Sequence, residues 1–224
     1  MSKGRRVYVT GGSGLIGKAI VQKFKESKYN VTNIDMSKDA DIVADLNMEF
    51  FKSDEFDQLF ENLNDDDVWI NSLYPPSWEE HLIAFHTLSS YAAMSMAESG
   101  GGCLINLSSI YAIRGTYPYL YSDGDEIKEP SLEYCMVKGA INSLTRAIAT
   151  RYGMKNVRAN TIISGGVNDN HETRDINFYD QYICRVPLER MAEPEEIAQA
   201  ALFIAENKYF TGQELVVDGG YSSW

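Results

Sequence analysis

The sequence predicts an α/β fold built on a doubly wound parallel sheet, in one domain spanning residues 1–224. Three observations carry that prediction. Short apolar runs alternate with helical patterns along the whole chain, as in a parallel sheet covered on both faces. A glycine-rich segment, Thr10-Gly-Gly-Ser-Gly-Leu-Ile-Gly17, lies between the first strand pattern and the first helix pattern. The length, 224 residues with 44% apolar content, suits one sizeable core and is short for two.

Taken in order, residues 6–10 form a short β run. From 14 to 27, Ile16, Ile20, Val21 and Phe24 mark the inner face of a helix, with lysines outside. Residues 30–35 give a second strand and 41–44 a third, joined by a very short connection. A helix suits 54–63, and 67–73 is the fourth strand. Pro75-Pro76-Ser77-Trp78 opens a long helix to about residue 98, with Ser77 as N-cap. Gly100 to Gly102 end it, and 103–108 is the fifth strand. Residues 111–130, rich in Tyr, Gly, Asp and Pro, have no sustained period and read as an ordered surface loop. A second long helix covers 132–152 and a sixth strand 157–163. Residues 165–190 read as a mobile segment with polar clusters, 194–206 as a helix with Glu-rich capping, and 214–217 as the last strand. No internal repeat, low-complexity tract or domain boundary interrupts this order.

Composition narrows the function. A net charge of −12 with no basic stripe argues against nucleic acid or an anionic membrane as partner. Three cysteines, Cys103, Cys135 and Cys184, are widely spaced, and neither they nor the three histidines show metal-ligand spacing, so no metal is expected. Free thiols fit a reducing compartment. Lys3, Arg5 and Arg6 precede an apolar stretch too short for a signal peptide, and no segment reaches membrane-span length. A cytoplasmic, soluble protein is expected.

The glycine segment sits where a dinucleotide would bind. Gly11 permits a tight turn, Gly14 lets the backbone approach a pyrophosphate, and Gly17 lets the helix pack closely on the strand. The helix N-terminus adds N–H groups and partial positive charge. Gly11, Ser13, Gly14, Leu15, Ile16 and Gly17 are therefore the candidate cofactor-binding positions of a Rossmann-type site. Asp35, ending the second strand, would accept hydrogen bonds from a ribose 2′-hydroxyl and repel a 2′-phosphate, which favours NAD over NADP. Lys38 would soften that preference if it folded back. Asp45-Leu46, after the third strand, either places a carboxylate near the adenine edge or caps the strand end. Downstream, Tyr134 and Lys138 lie one helical turn apart on one face. The spacing alone is that of an ordinary helix face, but an ammonium beside a phenol also favours the phenolate.

These motifs, with Asn106-Leu-Ser-Ser109, Val157-Arg-Ala-Asn160, the Gly165-Gly166-Val167 turn, Pro187-Leu-Glu-Arg-Met-Ala-Glu-Pro194 and Thr211-Gly-Gln-Glu-Leu-Val-Val-Asp-Gly-Gly220, resemble the short-chain dehydrogenase/reductase family over nearly the whole chain. Tyr74-Pro75 and the long Ser109–Tyr134 connection also resemble a subset linked to bacterial surface-sugar biosynthesis. The resemblance implies that Tyr134 exchanges a proton with the substrate oxygen and that Ser109 polarises that oxygen, Ser108 being the weaker candidate. It implies that Lys138 lowers the pKa of Tyr134 and binds the nicotinamide ribose. Asn71, with Ser72 beside it, would lie next to the adenosine half of the cofactor, and the backbone of Val167 would meet the carboxamide.

The chain also departs from that family. Its glycine spacing is that of the extended branch, while its carboxy-terminal motif is that of the short branch. Residues 71–74 read Asn-Ser-Leu-Tyr where the family has Asn-Asn-Ala-Gly. The stretches from Asn71 to the long helix and from Asp35 to Asp45 are brief, so a shortened or lost helical connection is expected between strands 2 and 3. His81 falls where the family has an Asn that completes a proton relay; it either relays protons itself or simply packs or faces solvent. Ser164 replaces a proline ahead of Gly165, which should loosen the following loop.

Arg114, Tyr117, Tyr119, Tyr121, His171, Arg174, Tyr179 and Arg185, on the two flanking loops, offer stacking faces for a sugar and guanidinium groups for a phosphate or carboxylate, or else serve loop packing. The expected function is NAD-dependent interconversion of a secondary alcohol and a ketone, with a sugar or sugar-nucleotide as substrate. The alternatives are a nucleotide-sugar epimerase or dehydratase and a dinucleotide-binding regulator with vestigial catalysis. The small and apolar positions of the second long helix, which in the family pairs with its copy, predict a homodimer or homotetramer.

Overall fold

The computed structural model describes residues 4–61, 63–117, 120, 122–123, 126–127, 130–170 and 176–224. Seven strands form one parallel sheet: β1 (Arg6–Thr10), β2 (Asn30–Asp35), β3 (Ile42–Val43), β4 (Val68–Asn71), β5 (Gly102–Ser109), β8 (Val157–Ser164) and β9 (Glu214–Val217). Their spatial order is β3-β2-β1-β4-β5-β8-β9, so the winding reverses between β1 and β4. That reversal opens a crevice at the carboxyl ends of the strands, where open α/β sheets bind ligands. A two-stranded antiparallel pair, β6 (Ser122–Asp123) and β7 (Glu126–Ile127), stands apart within the long loop after β5.

Five helices cover the sheet. α1 (Leu15–Glu26) and α6 (Pro194–Glu206) lie on one face, where Ile20 and Phe24 pack with Ile197, Ala201 and Ile204 against Val7, Val9, Ile70 and Ile105. α2 (Asp54–Glu61), α3 (Trp78–Glu98) and α4 (Leu132–Tyr152) cover the other face around Phe56, Phe60, Trp69, Leu88 and Ile148. Each buried Val, Ile, Leu or Phe among these contributes roughly 1.5–3 kcal/mol by leaving water. The helix starts follow the predicted chemistry. Ser77 accepts from the Glu80 amide at 3.2 Å, Ser131 accepts from the Tyr134 amide, and Glu193 with Glu196 forms a capping box ahead of Pro194.

The helix expected to be shortened or lost between β2 and β3 is lost; residues 36–41 are turns and bends only. A six-residue link between parallel neighbours is possible because β3 is two residues long and pairs only at the carboxyl end of β2, Ile34 with Ile42 and Asp35 with Val43. The segment 165–190 contains a helix, α5 (Ile176–Ile183), whose Tyr182 is buried against Tyr221 and Phe178. Among the described residues, no helix is long and apolar enough to cross a membrane.

Candidate active site

A cleft of about 1710 Å³ runs along the carboxyl ends of the strands. It is lined at one end by the turn after β1 and at the other by the start of α4. Gly11, Ser13, Gly14, Leu15, Ile16, Gly17, Asp35, Asp45, Leu46, Ser72, Ser109, Tyr134, Lys138 and Val167 all face it.

The first end is a cradle that side chains would fill. A Cβ on Gly11, which has φ +72°, would stand 2.7 Å from Leu73 Cα and Ser72 O; one on Gly17 would stand 2.0 Å from Gly11 O. Gly14 caps α1 without a side-chain hydrogen bond, so the first-turn N–H groups are left to the cleft. Asp35 is fixed beside them, its two carboxylate oxygens accepting from the amides of Ser13 (3.0 Å) and Ser37 (2.9 Å). Asn33 Nδ2 donates to Ser13 Oγ at 3.1 Å and braces the same turn. A backbone anion site, a close approach free of side chains and an oriented carboxylate together fit a dinucleotide. Asp45 also faces this end, held by Asn47 Nδ2 at 2.8 Å.

Asn71 is the exception among the predicted site residues. In-register pairing of Thr10 with Asn71 and of Asn71 with Asn106 puts three polar side chains in one row of the sheet. Asn71 Oδ1 accepts from Trp69 Nε1 (2.8 Å) and Thr10 Oγ1 (3.0 Å), and its Nδ2 donates to Asn106 Oδ1 (2.8 Å) and Ser89 Oγ (3.1 Å). Asn106 Nδ2 continues to Thr145 Oγ1 on α4 at 2.9 Å. Every hydrogen-bonding group of Asn71 is used, the residue is fully buried, and it does not line the cleft. Its side chain ties β1, β4, β5 and α3 together and does not lie beside the adenosine end.

At the second end, Ser109 closes β5 and Tyr134 and Lys138 project from the first turns of α4. Ser109 Oγ accepts from the Tyr111 amide at 3.3 Å, which leaves its hydroxyl hydrogen to point elsewhere. Ser108 Oγ instead donates to Lys138 O at 3.2 Å. The Lys138 ammonium sits over the Tyr134 ring, 5.5 Å from its centroid, and over Phe85 at 5.4 Å. It donates to Leu107 O at 3.4 Å and lies 3.3 Å from His81 Nε2. Burial pushes Lys138 down to about 7, and burial followed by the neighbouring Lys138 charge pushes His81 down to about 3. His81 is thus buried against the lysine, neither facing solvent nor simply packing.

Some lining residues had weak sequence signals. Tyr182 Oη accepts from the Gly166 amide at 2.5 Å and roofs the Gly165-Gly166 turn. The spacing Ile176, Tyr179, Tyr182, Ile183 was the helical signal available for it. Asn33 carried no such signal, since its strand, Asn30–Asp35, alternates few apolar residues with polar ones. Of the two roles open to Arg114 and Arg185, the structure shows loop packing, away from the cleft. Arg114 donates to the carbonyls of Ser222 (2.6 Å) and Trp224, and Arg185 stacks on Tyr117 (4.1 Å) and donates to Gln181 O (2.8 Å). Both line a separate cavity of about 280 Å³ with Tyr117, Tyr221 and Trp224. Tyr179 is half-buried on α5. Tyr119, Tyr121, His171 and Arg174 lie outside the described residues.

A glycine cradle at the switch point, with Ser109, Tyr134 and Lys138 lining the far end of the same cleft, fits a dinucleotide-dependent oxidoreductase. The chain belongs to the short-chain dehydrogenase/reductase family of oxidoreductases: residues 78–222 match the family model described as enoyl-(acyl carrier protein) reductase. It is 28% identical to the 3-oxoacyl-[acyl-carrier-protein] reductase of Chlamydia trachomatis over 97% of this chain and 88% of that protein. It is 31% identical to the 7alpha-hydroxysteroid dehydrogenase of Clostridium sardiniense over 88% of this chain and 62% of that protein. Among solved structures, the short chain dehydrogenase of Leptospira borgpetersenii with bound NAD+ superposes with a TM-score of 0.78 at 26% identity, covering 98% of this chain and 93% of that one.

Proposed function

We propose that the protein is a one-domain, NAD-dependent oxidoreductase that interconverts a secondary alcohol and a ketone on a polar, sugar-like substrate. The observation that carries this reading is the placement of Ser109, Tyr134 and Lys138 on the same cleft as the glycine cradle and Asp35. The turn at Gly11–Gly17 and the open N-terminus of α1 would hold the pyrophosphate, Asp35 the adenosine ribose, and Val167 with Lys138 the nicotinamide end. The nicotinamide ring supplies the hydride acceptor or donor. In oxidation, Tyr134 takes the hydroxyl proton as the carbinol carbon gives up hydride, while the Ser109 hydroxyl donates to the substrate oxygen. In reduction Tyr134 returns the proton. Lys138 favours the phenolate electrostatically.

Asp35 supports NAD over NADP, because a 2′-phosphate would meet a carboxylate pinned by two backbone amides. Lys38 is exposed and does not line the cleft. The commitment of Arg114 and Arg185 to backbone carbonyls and a tyrosine face weighs against a nucleotide-sugar substrate, and with it against the epimerase or dehydratase reading. A homodimer or homotetramer belongs to the same proposal, supported by exposed Tyr91 and Met94 on α3 and Leu132 and Met136 on α4. Free cysteines accord with a cytoplasmic setting.

The test is NADH and NADPH formation across neutral polyols and sugars, with Tyr134→Phe as control. Turnover with NAD should fall at least about 100-fold in the variant while NAD affinity holds. Undiminished turnover would sink the mechanism, and tight NAD binding without any turnover would favour a regulator.

A further inference from the structure

Lys138 poses a problem that the cleft chemistry does not solve. An ammonium loses much of its charge preference when buried, and this one is only 5% exposed. Among the described residues it makes no ion pair. The groups facing it are Tyr134 from its own helix, His81 and Phe85 from α3, and the Leu107 carbonyl from β5. His81 is a titratable group in hydrogen-bonding contact with it.

His81 is 3% exposed, in the first turns of α3, where the helix dipole disfavours an imidazolium. Its ring is edge-on to Tyr74 (centroids 5.4 Å, 72° between planes) and tilted on Phe85 (5.2 Å), so its orientation is set by packing. That orientation brings Nε2 to 3.3 Å from Lys138 Nζ. Two cations at that distance in a dry site would repel strongly, so one partner must be neutral. A neutral imidazole with its proton on Nδ1 offers Nε2 as an acceptor.

We propose that His81 is a positioning residue for Lys138: its neutral imidazole accepts one ammonium N–H through Nε2, Leu107 O accepts a second, and the third is left for the cleft. The pair stabilises a buried charge beside Tyr134 with uncharged acceptors. Because the lysine is the more basic partner, His81 does not carry protons as a cation. The inference rests on the reading that Lys138 works beside Tyr134, yet its test needs no turnover, so an inactive enzyme would not count against it.

The experiment is an NMR titration of the full chain labelled at lysine Cε, with Lys138 assigned through Lys138→Arg. Removing an acceptor from an ionised donor should lower the Lys138 pKa in His81→Leu by about one pH unit or more. His81→Gln, which restores an acceptor at similar reach, should recover most of that shift. An unmoved titration in the leucine variant, a rise, or no recovery with glutamine would each overturn the proposal. If the leucine variant does not fold, the wild-type protein decides. With three histidines in the chain, ¹⁵N spectra can show whether His81 stays neutral with its proton on Nδ1 throughout the folded pH range. A proton on Nε2, or titration of His81 near neutrality, overturns it.

Discussion

Asn71→Asp separates the structural role of this residue from a cofactor role, because it keeps the outline of the side chain and changes only its donors. Asn71 Oδ1 serves Trp69 and Thr10, and an Asp oxygen can do the same. The other oxygen would replace Nδ2 and face Asn106 Oδ1 at a distance now 2.8 Å. An ionised Asp there sets two acceptors against each other in a fully buried site. A protonated Asp donates to Asn106 and loses one bond to Ser89, a net cost of about 1 kcal/mol. The folded-state pKa of the new carboxyl is therefore raised, whereas in the unfolded chain it stays near about 3.9. Between those two values the native state holds one more proton than the unfolded state. Stability then falls with rising pH by about 1.4 kcal/mol per unit. From roughly pH 5 to 7 the variant should lose about 2.7 kcal/mol relative to wild type. Urea unfolding at several pH values measures this, with Asn71→Ala as control. The alanine variant orphans the Trp69 indole N–H at a cost of about 1–3 kcal/mol that does not vary with pH. A pH-independent loss in Asn71→Asp would refute the buried-network account. A folded Asn71→Ala that selectively fails to bind NAD would restore a cofactor role.

Gly17→Ala should cost about 1–3 kcal/mol or more and weaken NAD binding at least tenfold, because its Cβ would lie 2.0 Å from Gly11 O and push α1 off the cradle. Gly115→Ala, with nothing within 4 Å, should be nearly neutral in the same thermal and cofactor titrations; equal losses would mean the cradle is not tight. Arg190, through hydrogen bonds of 2.6 and 2.7 Å, and then the Glu193 amide hold the Glu196 carboxyl at about 2 instead of 4.5. A depressed pKa contributes stability above the ordinary value that is lost as pH falls through the folded one. Glu196→Gln should thus be less stable than wild type near neutrality by under about 1 kcal/mol, since the pair is solvent-screened. That gap should close towards roughly pH 2 in acid unfolding, and a gap that persists contradicts the assignment.

The readability of this fold tracked how local each cause was. β2, α4, α6 and β9 match their predicted bounds because each is set by its own periodicity and by neighbours such as Ser131 or Pro194. The cradle was readable for the same reason, since Gly11, Gly14 and Gly17 act on one another within a single turn. The buried role of Asn71 was hidden because three of its four partners, Ser89, Asn106 and Thr10, are 18 to 61 residues away and are brought together by tertiary packing. The two roles open to the arginines, substrate contact or loop packing, could not be separated in the sequence for a related reason. Position on a flanking loop says nothing about which carbonyls the chain presents, and Arg114 meets those of Ser222 and Trp224 from 108 and 110 residues away. α5 was missed because eight residues of weak period sit inside a polar stretch.

Two departures that looked separate in the sequence are neighbours in space. Tyr74 replaces a glycine of the family pattern and His81 replaces an asparagine; the Tyr74 ring meets both His81 (5.4 Å) and Tyr134 (6.0 Å). A glycine at 74 would leave the imidazole open to that side. The tyrosine covers it, which helps keep His81 neutral and therefore an acceptor for Lys138. The Tyr134 ring also meets Tyr111, at 6.5 Å. On the reading that Tyr134 is the acid/base, these rings would shape how a substrate oxygen approaches its hydroxyl. Because one ring touches both His81 and Tyr134, a change at Tyr74 should disturb both neighbours, and Tyr74 and His81 are best exchanged together when the site is redesigned.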